Sequence, residues 1–286
     1  MKTAILVDSA SDIDETFAAS KNIFFIKFHA FLDGKDYILN KNISREEYAA
    51  LVKSSKSYPK TAVPSVEEVQ EVISNLRVQG FSRFVFIVSS KKISGIYKLC
   101  KNLIEKDGAL KNNSLLFDSG STSAELGILP LILVQHNVEE LSLDQIERLL
   151  QKLSKNSKFY YSVYDLSYLV KGGRLKPIPG FFGKLLNIFP LGSQEEGVPV
   201  VVGKAIGIKN TMSKFVDFVS DFTKKDGFYY GILSGSTESE EFAEQLKGLL
   251  KRKFGQRAEF IYHFRTNLVP TSHFGPDVFG VVVVRK

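Results

Sequence analysis

The sequence predicts an α/β protein of two domains, the first with a mainly parallel sheet sandwiched by helices and the second with a mixed or antiparallel sheet and helices. Three observations predict this fold. The chain of 286 residues is long enough for two domains of ordinary size. Short apolar segments alternate with helical patterns along the chain. The early apolar segments lack strict polar alternation, as strands do when helices cover both faces of a parallel sheet.

The first domain is predicted to span residues 1–156. Two of its helices begin at capping boxes, over 44–47 and 65–68, in which a serine hydroxyl and a glutamate carboxylate satisfy backbone N–H groups. A helix over 141–156 ends the domain at the polar stretch 154–157. The predicted strands are 4–7, 23–32, 84–88 and 114–117.

The second domain is predicted to span residues 157–286. A Gly/Pro-rich connector over 172–183 follows its first strand, and long helices are predicted near 211–223 and 238–254, the second opened by a capping box over Thr237–Glu240. The predicted strands are 159–163, 198–203, 228–233, 258–264 and 280–284.

Composition narrows the class of protein. No run of residues approaches the roughly 18 apolar positions that a membrane span requires, and Asp8 interrupts the N-terminal apolar run before it reaches signal-peptide length. A single cysteine, Cys100, excludes disulfide frameworks and predicts a cytoplasmic protein. The net charge of +7 favours anionic lipid surfaces or phosphate-bearing ligands. The lysines are spread along the chain, which disfavours nucleic acid.

Hydroxyl-rich segments follow three predicted strands of the first domain, where ligands bind in open α/β sheets. They are Asp8–Asp12, Ser89–Ser90 with Ser94-Gly95, and Asp118–Thr122. Each segment alone is typical of a helix N-cap, but together they predict the polar rim of a ligand site. Thr61, just before a capped helix, is a further candidate.

Two residues of the second domain could act on an anion. Arg174 follows paired glycines, which are typical of a helix C-terminus, and a guanidinium held on such a turn can bind a carboxylate or phosphate bidentately. His273 directly precedes a Phe-Gly-Pro turn and could be a general base, a metal ligand or a group that positions an anion.

Known motifs argue against several enzyme classes. The phosphate-binding loops G-x-G-x-x-G and G-x-x-x-x-G-K-[ST] do not occur at the required positions. The four histidines lack metal-ligand spacing, so no metal or organic cofactor is expected. G-x-S-x-G is also missing, although a hydrolase that cleaves acyl esters through Ser94 and His273 stays open as an alternative.

Seven segments follow one another along the chain in a characteristic order: DSASDI (8–13), TAVPS (61–65), SSKKISGIY (89–97), FDSGSTSAELG (117–127), YLVKGGRLK (168–176), LLNIFPL (185–191) and HFGPDVFG (273–280). Their joint order is more specific than any single motif. In this order they resemble the DegV family of bacterial fatty-acid-binding proteins, the acyl-presenting subunits of fatty acid kinase.

The resemblance implies a monomer that holds a long-chain fatty acid between two α/β domains and has no catalytic cycle of its own. A separate kinase subunit phosphorylates the bound acid to an acyl phosphate. The implied carboxylate-binding residues are Thr61 and Ser94, with Gly95 beside them and His273 supporting the head group. Arg174 matches the family arginine after the paired glycines and is expected to act on the phosphate or on the partner.

The chain departs from the family pattern at Ile96, where threonine is usual, and at Phe274 and Asp277, where H-T-G-P-G has become H-F-G-P-D. A basic residue usual near 206–210 is not an arginine here. These departures leave Thr61 and Ser94 intact. They keep open a second alternative, a divergent lipid binder that serves no kinase.

The energetics of a fatty acid favour this arrangement. About fifteen methylenes at roughly 0.8 kcal/mol each give on the order of 12 kcal/mol of transfer free energy, whereas head-group hydrogen bonds add about 1–3 kcal/mol. The hydrocarbon tail therefore supplies most of the binding free energy, and the head group sets the orientation of the acid. Predicted tail walls are the apolar segments 23–31, 126–134 and 181–189, and an amphipathic helix beginning at Phe181-Phe182 is expected to touch an anionic membrane surface during exchange.

Overall fold

A computed structural model describes residues 1–177 and 187–286. It confirms the predicted α/β fold, with one parallel sheet and one mixed sheet, both flanked by helices. The strands are β1 (Lys2–Asp8), β2 (Ile23–Ile26), β3 (His29–Leu32), β4 (Lys35–Tyr37), β5 (Lys60–Ala62), β6 (Phe81–Val88), β7 (Ser114–Asp118), β8 (Ser157–Val163), β9 (Ile188–Glu195), β10 (Val198–Ile206), β11 (Phe228–Ser234), β12 (Ala258–Arg265) and β13 (Val278–Arg285).

The helices connect these strands and cover their faces. Short 3-10 turns at Ser9–Ser11, Val138–Glu140 and Gly255–Arg257 complete the secondary structure of the described residues. The α-helices are α1 (Glu15–Ala19), α2 (Arg45–Ser54), α3 (Val66–Val78), α4 (Ile96–Lys106), α5 (Gly108–Asn113), α6 (Ser123–Leu133), α7 (Leu143–Lys155), α8 (Ser167–Lys171), α9 (Ile208–Thr223), α10 (Thr237–Phe254) and α11 (Leu268–Phe274).

The first sheet is parallel throughout, in the order β2-β1-β6-β7. Its strands are apolar on both faces. In β1, Ala4 and Leu6 face a core that contains α3, α4 and α5, while Ile5 and Val7 face a core that contains α6 and α7. Two apolar faces explain the absence of polar alternation in the sequence.

The second sheet has six strands in the order β10-β9-β8-β13-β11-β12. Only β11 and β12 are parallel to each other; the remaining neighbours are antiparallel. One face packs on α9 and α10, and the other packs on α6.

Helix α6 therefore lies between the two sheets. All of its residues are buried, and the core around it contains side chains from both sheets, including Val7 from β1 and Val282 from β13. Gly127 allows the close approach, since a Cβ there would lie 2.1 Å from the Ser11 carbonyl oxygen and 2.7 Å from a Phe264 ring carbon. The two halves of the chain thus share one apolar layer. The domain boundary at residue 156 stays a prediction.

The structure corrects the element boundaries at three places. The predicted strand 23–32 is two strands, β2 and β3, that belong to different sheets. Strand β3 joins β4 and β5 in a small antiparallel sheet that sequence reasoning missed because β4 and β5 have only three residues each. Strand β9 was also missed.

The capping of the helices follows the sequence with one exception. The boxes at Ser44 and Ser65 are confirmed, each with both reciprocal hydrogen bonds. The box predicted over Thr237–Glu240 is wrong, because α10 is capped one residue earlier by Ser236, whose hydroxyl accepts from the Ser239 backbone N–H.

Candidate functional site

A cleft opens where the ends of β1, β5 and β6 meet α11 and the turn after α8, with about 490 Å³ of space between atoms, its open mouth included. Both halves of the chain line it. Its polar lining is Thr61, Ser89, Ser94, Thr122, Arg174 and His273. Its apolar lining is Ala10, Phe28, Ile93, Leu169, Pro199, Val269, Pro270 and Phe274.

The two predicted hydroxyl residues reach the cleft from different elements. Thr61 is half-buried on β5, where it is paired with Ala30 of β3. Ser94 lies in the turn after β6, and its hydroxyl accepts from the Ile96 backbone N–H at 3.3 Å. Gly95 stands exposed at the N-cap position of α4 and does not line the cleft.

His273 is buried on α11 and contacts Thr61, with 3.0 Å between Nε2 and the threonine Oγ1. Burial, together with the nearby Arg174 charge, lowers the pKa of His273 from 6.5 to about 3. The imidazole is therefore neutral at physiological pH. Its Nδ1 is buried and has no hydrogen-bond partner among the described residues, and a Cβ on Gly172 would lie 2.6 Å from it.

These contacts favour one tautomer of His273. A buried, unpaired N–H group is rarer in proteins than a buried, unpaired acceptor, so we assign the proton to Nε2, which then donates to Thr61. The assignment follows from the hydrogen-bond network. It leaves the Thr61 hydroxyl proton directed into the cleft as a donor.

Arg174 supplies the positive charge of the cleft. Its guanidinium donates to the Gly172 carbonyl oxygen at 2.6 Å and to the Ile93 carbonyl oxygen at 3.4 Å. Burial lowers the pKa of Arg174. No carboxylate pairs with it in the part of the chain that the structure describes, and no Asp or Glu lines the cleft. A desolvated cation without a carboxylate partner favours an anionic ligand.

The segment Asp8–Asp12 lies beneath the cleft rather than on its rim, which corrects the predicted role of its side chains. The Asp8 carboxylate accepts from the Ser89 backbone N–H at 2.6 Å and from the Ala10 N–H at 3.0 Å, and burial raises the pKa of Asp8 to about 6. The Ser9 hydroxyl accepts from the Phe28 N–H. These short side chains bond to buried backbone groups, so of the segment Asp8–Asp12 only Ala10 lines the cleft.

Asp12 positions the helix that carries His273. Its carboxylate accepts from the Asn267 backbone N–H at 2.8 Å, at the start of α11, and from the Ser123 hydroxyl at 2.6 Å. Burial raises the pKa of Asp12 to about 7. Likewise, of the predicted segment Asp118–Thr122 only Thr122 lines the cleft.

The alternative of a hydrolase using Ser94 and His273 finds no support in the geometry. His273 Nε2 pairs with the Thr61 hydroxyl and the Ser94 hydroxyl accepts from a backbone N–H, so these two described residues do not form a serine–histidine pair with each other.

A Ser–His–Glu arrangement occurs elsewhere, where Ser234 Oγ is 2.9 Å from His263 Nε2 and His263 Nδ1 is 3.2 Å from Glu244. Ser234 is only 1% exposed. The Gly235 N–H that would stabilise an oxyanion already bonds the Val278 carbonyl oxygen and the Ser239 hydroxyl. We interpret this arrangement as a contact that holds α10 on β12.

The predicted tail walls contribute unequally. From segment 23–31 only Phe28 lines the cleft, and segment 126–134 does not line it because α6 is enclosed between the two sheets. Most of segment 181–189, including Phe181-Phe182, lies outside the described residues. Sequence reasoning missed Pro199 and Val269 as lining residues, since nothing local distinguishes them from ordinary strand and helix positions.

Within residues 1–177 and 187–286, no group of three or more His, Cys, Asp or Glu side chains could hold a metal ion. Over the same residues, none of the helices has the length and apolar character needed to cross a membrane.

Comparison with known proteins identifies the family. The sequence profile described as "Uncharacterised protein, DegV family" matches residues 2–286. A DegV domain-containing protein of Clostridium acetobutylicum is 27% identical over all of this chain and 99% of that protein. A crystal structure described as a fatty acid binding DegV family protein from Streptococcus agalactiae covers 100% of this chain and 99% of that one, with 26% identity and a TM-score of 0.83. A stearic acid-binding protein from Eubacterium ventriosum has the same coverage, 24% identity and a TM-score of 0.85.

Proposed function

Because the chain belongs to the DegV family, we propose that it binds a long-chain fatty acid in this cleft and presents the carboxyl group to a separate kinase subunit. The observation that carries the proposal is the composition of the cleft, which among the described residues combines hydroxyl donors and one arginine with apolar walls and no carboxylate. A fatty acid has the matching chemistry, a single anionic head on a hydrocarbon chain.

The head group is bound by neutral donors. Thr61, polarised by His273, and Ser94 each offer a hydroxyl to one carboxylate, with the backbone at Gly95 close by. Such bonds contribute about 0.5–1.5 kcal/mol each, which is enough to orient the acid. A neutral His273 adds no charge beyond that of Arg174, and the hydroxyl bonds leave one carboxylate oxygen available as a nucleophile.

The tail supplies the binding free energy. Among the apolar lining residues, Ala10, Phe28 and Val269 belong to the core between the first sheet and helices α3, α4 and α5, which we name the outer core. We infer that the tail runs from the head-group residues into this layer, beside α3 and α4. Burial of the methylenes at roughly 0.8 kcal/mol each exceeds the head-group contribution severalfold, although ordering of the chain offsets part of it.

The kinase step needs only an exposed oxygen and compensation of charge. A carboxylate oxygen attacks the γ-phosphorus of ATP on the kinase, the bond to the β-phosphate oxygen breaks, and ADP leaves as an acyl phosphate forms. Arg174 lies at the cleft with its guanidinium charge unpaired by any carboxylate of the described residues, which supports a role in stabilising the added negative charge. The protein contributes binding and charge, and the kinase contributes catalysis.

The departures from the family pattern leave the two hydroxyls in place, although Phe274 lines the same cleft and the Ile96 backbone N–H donates to the Ser94 hydroxyl. Ile96 is fully buried in the outer core, and the Phe274 ring packs 4.8 Å from the Tyr161 ring, centroid to centroid. The Asp277 carboxylate lies 3.6 Å from Lys53 Nζ. These positions keep both hydroxyls available to a head group, and the kinase assay below separates presentation from lipid binding without a partner.

The remaining parts of the proposal follow the family precedent and the charge. We propose a cytoplasmic monomer without an organic cofactor, whose positive net charge of +7 assists transient contact with anionic membranes during exchange of acid.

Native mass spectrometry of protein purified from cells tests binding, and a co-purified species of fatty acid mass is expected. Incubation of the loaded protein with ATP and the catalytic subunit of a bacterial fatty acid kinase tests presentation, with acyl phosphate trapped by hydroxylamine. Bound lipid without acyl phosphate would support the divergent binder, and absence of lipid would overturn the proposal as a whole.

A further inference from the structure

The turn of the β9–β10 hairpin reaches from the second sheet onto the loops that follow β6 and β7. Residues 194–199 of this hairpin, which we name the strap, end at Pro199 in the wall of the cleft. The loops beneath the strap carry Ser94 and Thr122, which also line the cleft. The strap is therefore the point where the second half of the chain holds the polar loops of the first.

Gln194 pairs with both backbone groups of Thr122. Its side-chain oxygen accepts from the Thr122 N–H at 3.2 Å, and its side-chain NH₂ donates to the Thr122 carbonyl oxygen at 3.4 Å. The Gln194 amide thus pairs with the Thr122 backbone as a neighbouring strand would, at the residue that directly precedes α6. Thr122 is held by a side chain from the opposite half of the chain.

Ser90 connects the strap with Ser94. Its hydroxyl donates to the Glu196 carbonyl oxygen at 2.7 Å. Its own carbonyl oxygen accepts from the Ile93 and Ser94 backbone N–H groups, both at 3.1 Å. A displacement of the strap would therefore move the turn that positions Ser94. The Lys92 ammonium adds an ion pair to the Glu196 carboxylate.

Gly197 makes this seating possible. Its φ of +81° is in the left-handed region, and a Cβ there would lie 2.4 Å from the Ser90 Cβ. The atom that it would meet is the first carbon of a side chain, so it cannot move away without the Ser90 backbone. Any larger residue must lift the strap or shift the Ser90 loop.

We propose that the strap positions Ser94 and Thr122, and that its seating on Ser90 sets the rate at which a bound fatty acid leaves the cleft. The proposal rests on fatty-acid binding as the function. The strap is held by a few hydrogen bonds and one ion pair, so it opens at lower free energy than the apolar layer around α6. Loops that close over a ligand commonly limit its release.

The test is the dissociation rate of cis-parinaric acid, a fluorescent fatty acid, measured by stopped flow into an excess of phospholipid vesicles. Gly197→Ala is expected to increase this rate about tenfold. The matched control is Gly80→Ala, since Gly80 has φ +86° and nothing within 4 Å of the added Cβ. The control carries the same backbone strain without the contact and is expected to lose thermal stability while keeping the wild-type rate.

A second variant covers the case in which Gly197→Ala does not fold. Gln194→Ala removes the pairing with Thr122 and is expected to increase the dissociation rate about threefold. Wild-type rates in Gln194→Ala, or an equal increase in Gly80→Ala, would overturn the role of the strap. If the wild-type protein bound no cis-parinaric acid, the proposed function would fail and the strap proposal with it.

Discussion

At the α6 layer the two halves of the chain meet through apolar side chains in close contact, whereas at the cleft hydrogen bonds join them beside the buried side chains of α11. Around α6 every helix residue is buried, and Gly127 lets the helix lie close against the Phe264 ring of β12. At the cleft, Thr61 contacts His273 and Arg174 contacts the Ile93 carbonyl oxygen. The difference shows how a rigid scaffold can carry a region of lower local stability where a ligand must enter and leave.

The largest effect is expected at the α6 layer. Gly127→Ala should lower the free energy of unfolding by about 3 kcal/mol, because the added methyl overlaps the Ser11 carbonyl oxygen and the Phe264 ring. Urea denaturation measures it. Gly248→Ala in α10 is the matched control, since its Cβ would meet only Arg252 at 3.9 Å. Removing that helical glycine should stabilise the protein by about 0.5–1 kcal/mol. Equal losses in both variants would contradict the close packing of α6.

Arg174→Ala tests whether fatty-acid binding and phosphoryl transfer depend on different residues of the cleft. The protein should keep near-normal lipid content, while acyl phosphate formation by the kinase falls on the order of 100-fold, the typical effect of losing a transition-state charge contact. Arg174→Lys should recover part of the rate because the charge returns without the guanidinium geometry. Unchanged transfer in the alanine variant would refute the assigned role.

His273 gives the cleft a pH dependence of stability. Its pKa is about 3 in the folded protein and near 6.5 when exposed, so the unfolded chain binds more protons between these values and stability falls as pH decreases through that window. At pH 5 the loss should be about 2 kcal/mol relative to pH 8. His273→Gln should remove this slope in paired urea titrations. Asp8 and Asp12, whose raised pKa values act in the opposite direction, are present in both proteins and cancel.

Thr61→Ala should have the smallest effect. Loss of one hydroxyl donor weakens fatty-acid affinity about tenfold, corresponding to about 1.4 kcal/mol, with the fold retained. Competition against cis-parinaric acid measures it. Thr61→Ser keeps the hydroxyl and should bind nearly as the wild type does; if the serine variant bound as weakly as the alanine variant, the methyl group and not the hydroxyl would be the contact that matters.

Much of the structure around α6 could be predicted from the sequence. The apolar strands without polar alternation indicated a sheet covered on both faces, and the boxes at Ser44 and Ser65 fixed two helix starts. The apolar run of α6 did not reveal its position, because a helix that is apolar all round shows only that it is buried. Its place between two sheets depends on long-range contacts such as Gly127 with Phe264.

The cleft was predictable in its residues and less so in its contacts. Thr61, Ser94, Arg174 and His273 stood out as residue types at strand and helix ends, and the structure brings all four to one cleft. The hydrogen bond between Thr61 and His273 spans 212 positions of the chain, and no local pattern encodes it. Ser, Asp and Asn side chains at strand ends can bind a ligand or can accept hydrogen bonds from nearby backbone groups. Only the observed burial of Asp8 and Asp12 shows that these two carboxylates do not lie on the rim of the cleft.

The position of α6 between the two sheets limits how a fatty acid can enter the protein. Because the two halves of the chain share one buried core around α6, they cannot rotate apart about a hinge, as the domains of hinge-closing binding proteins do. Uptake and delivery must then proceed through small local rearrangements at the mouth, and the radius of gyration measured by small-angle X-ray scattering should be the same for empty and loaded protein.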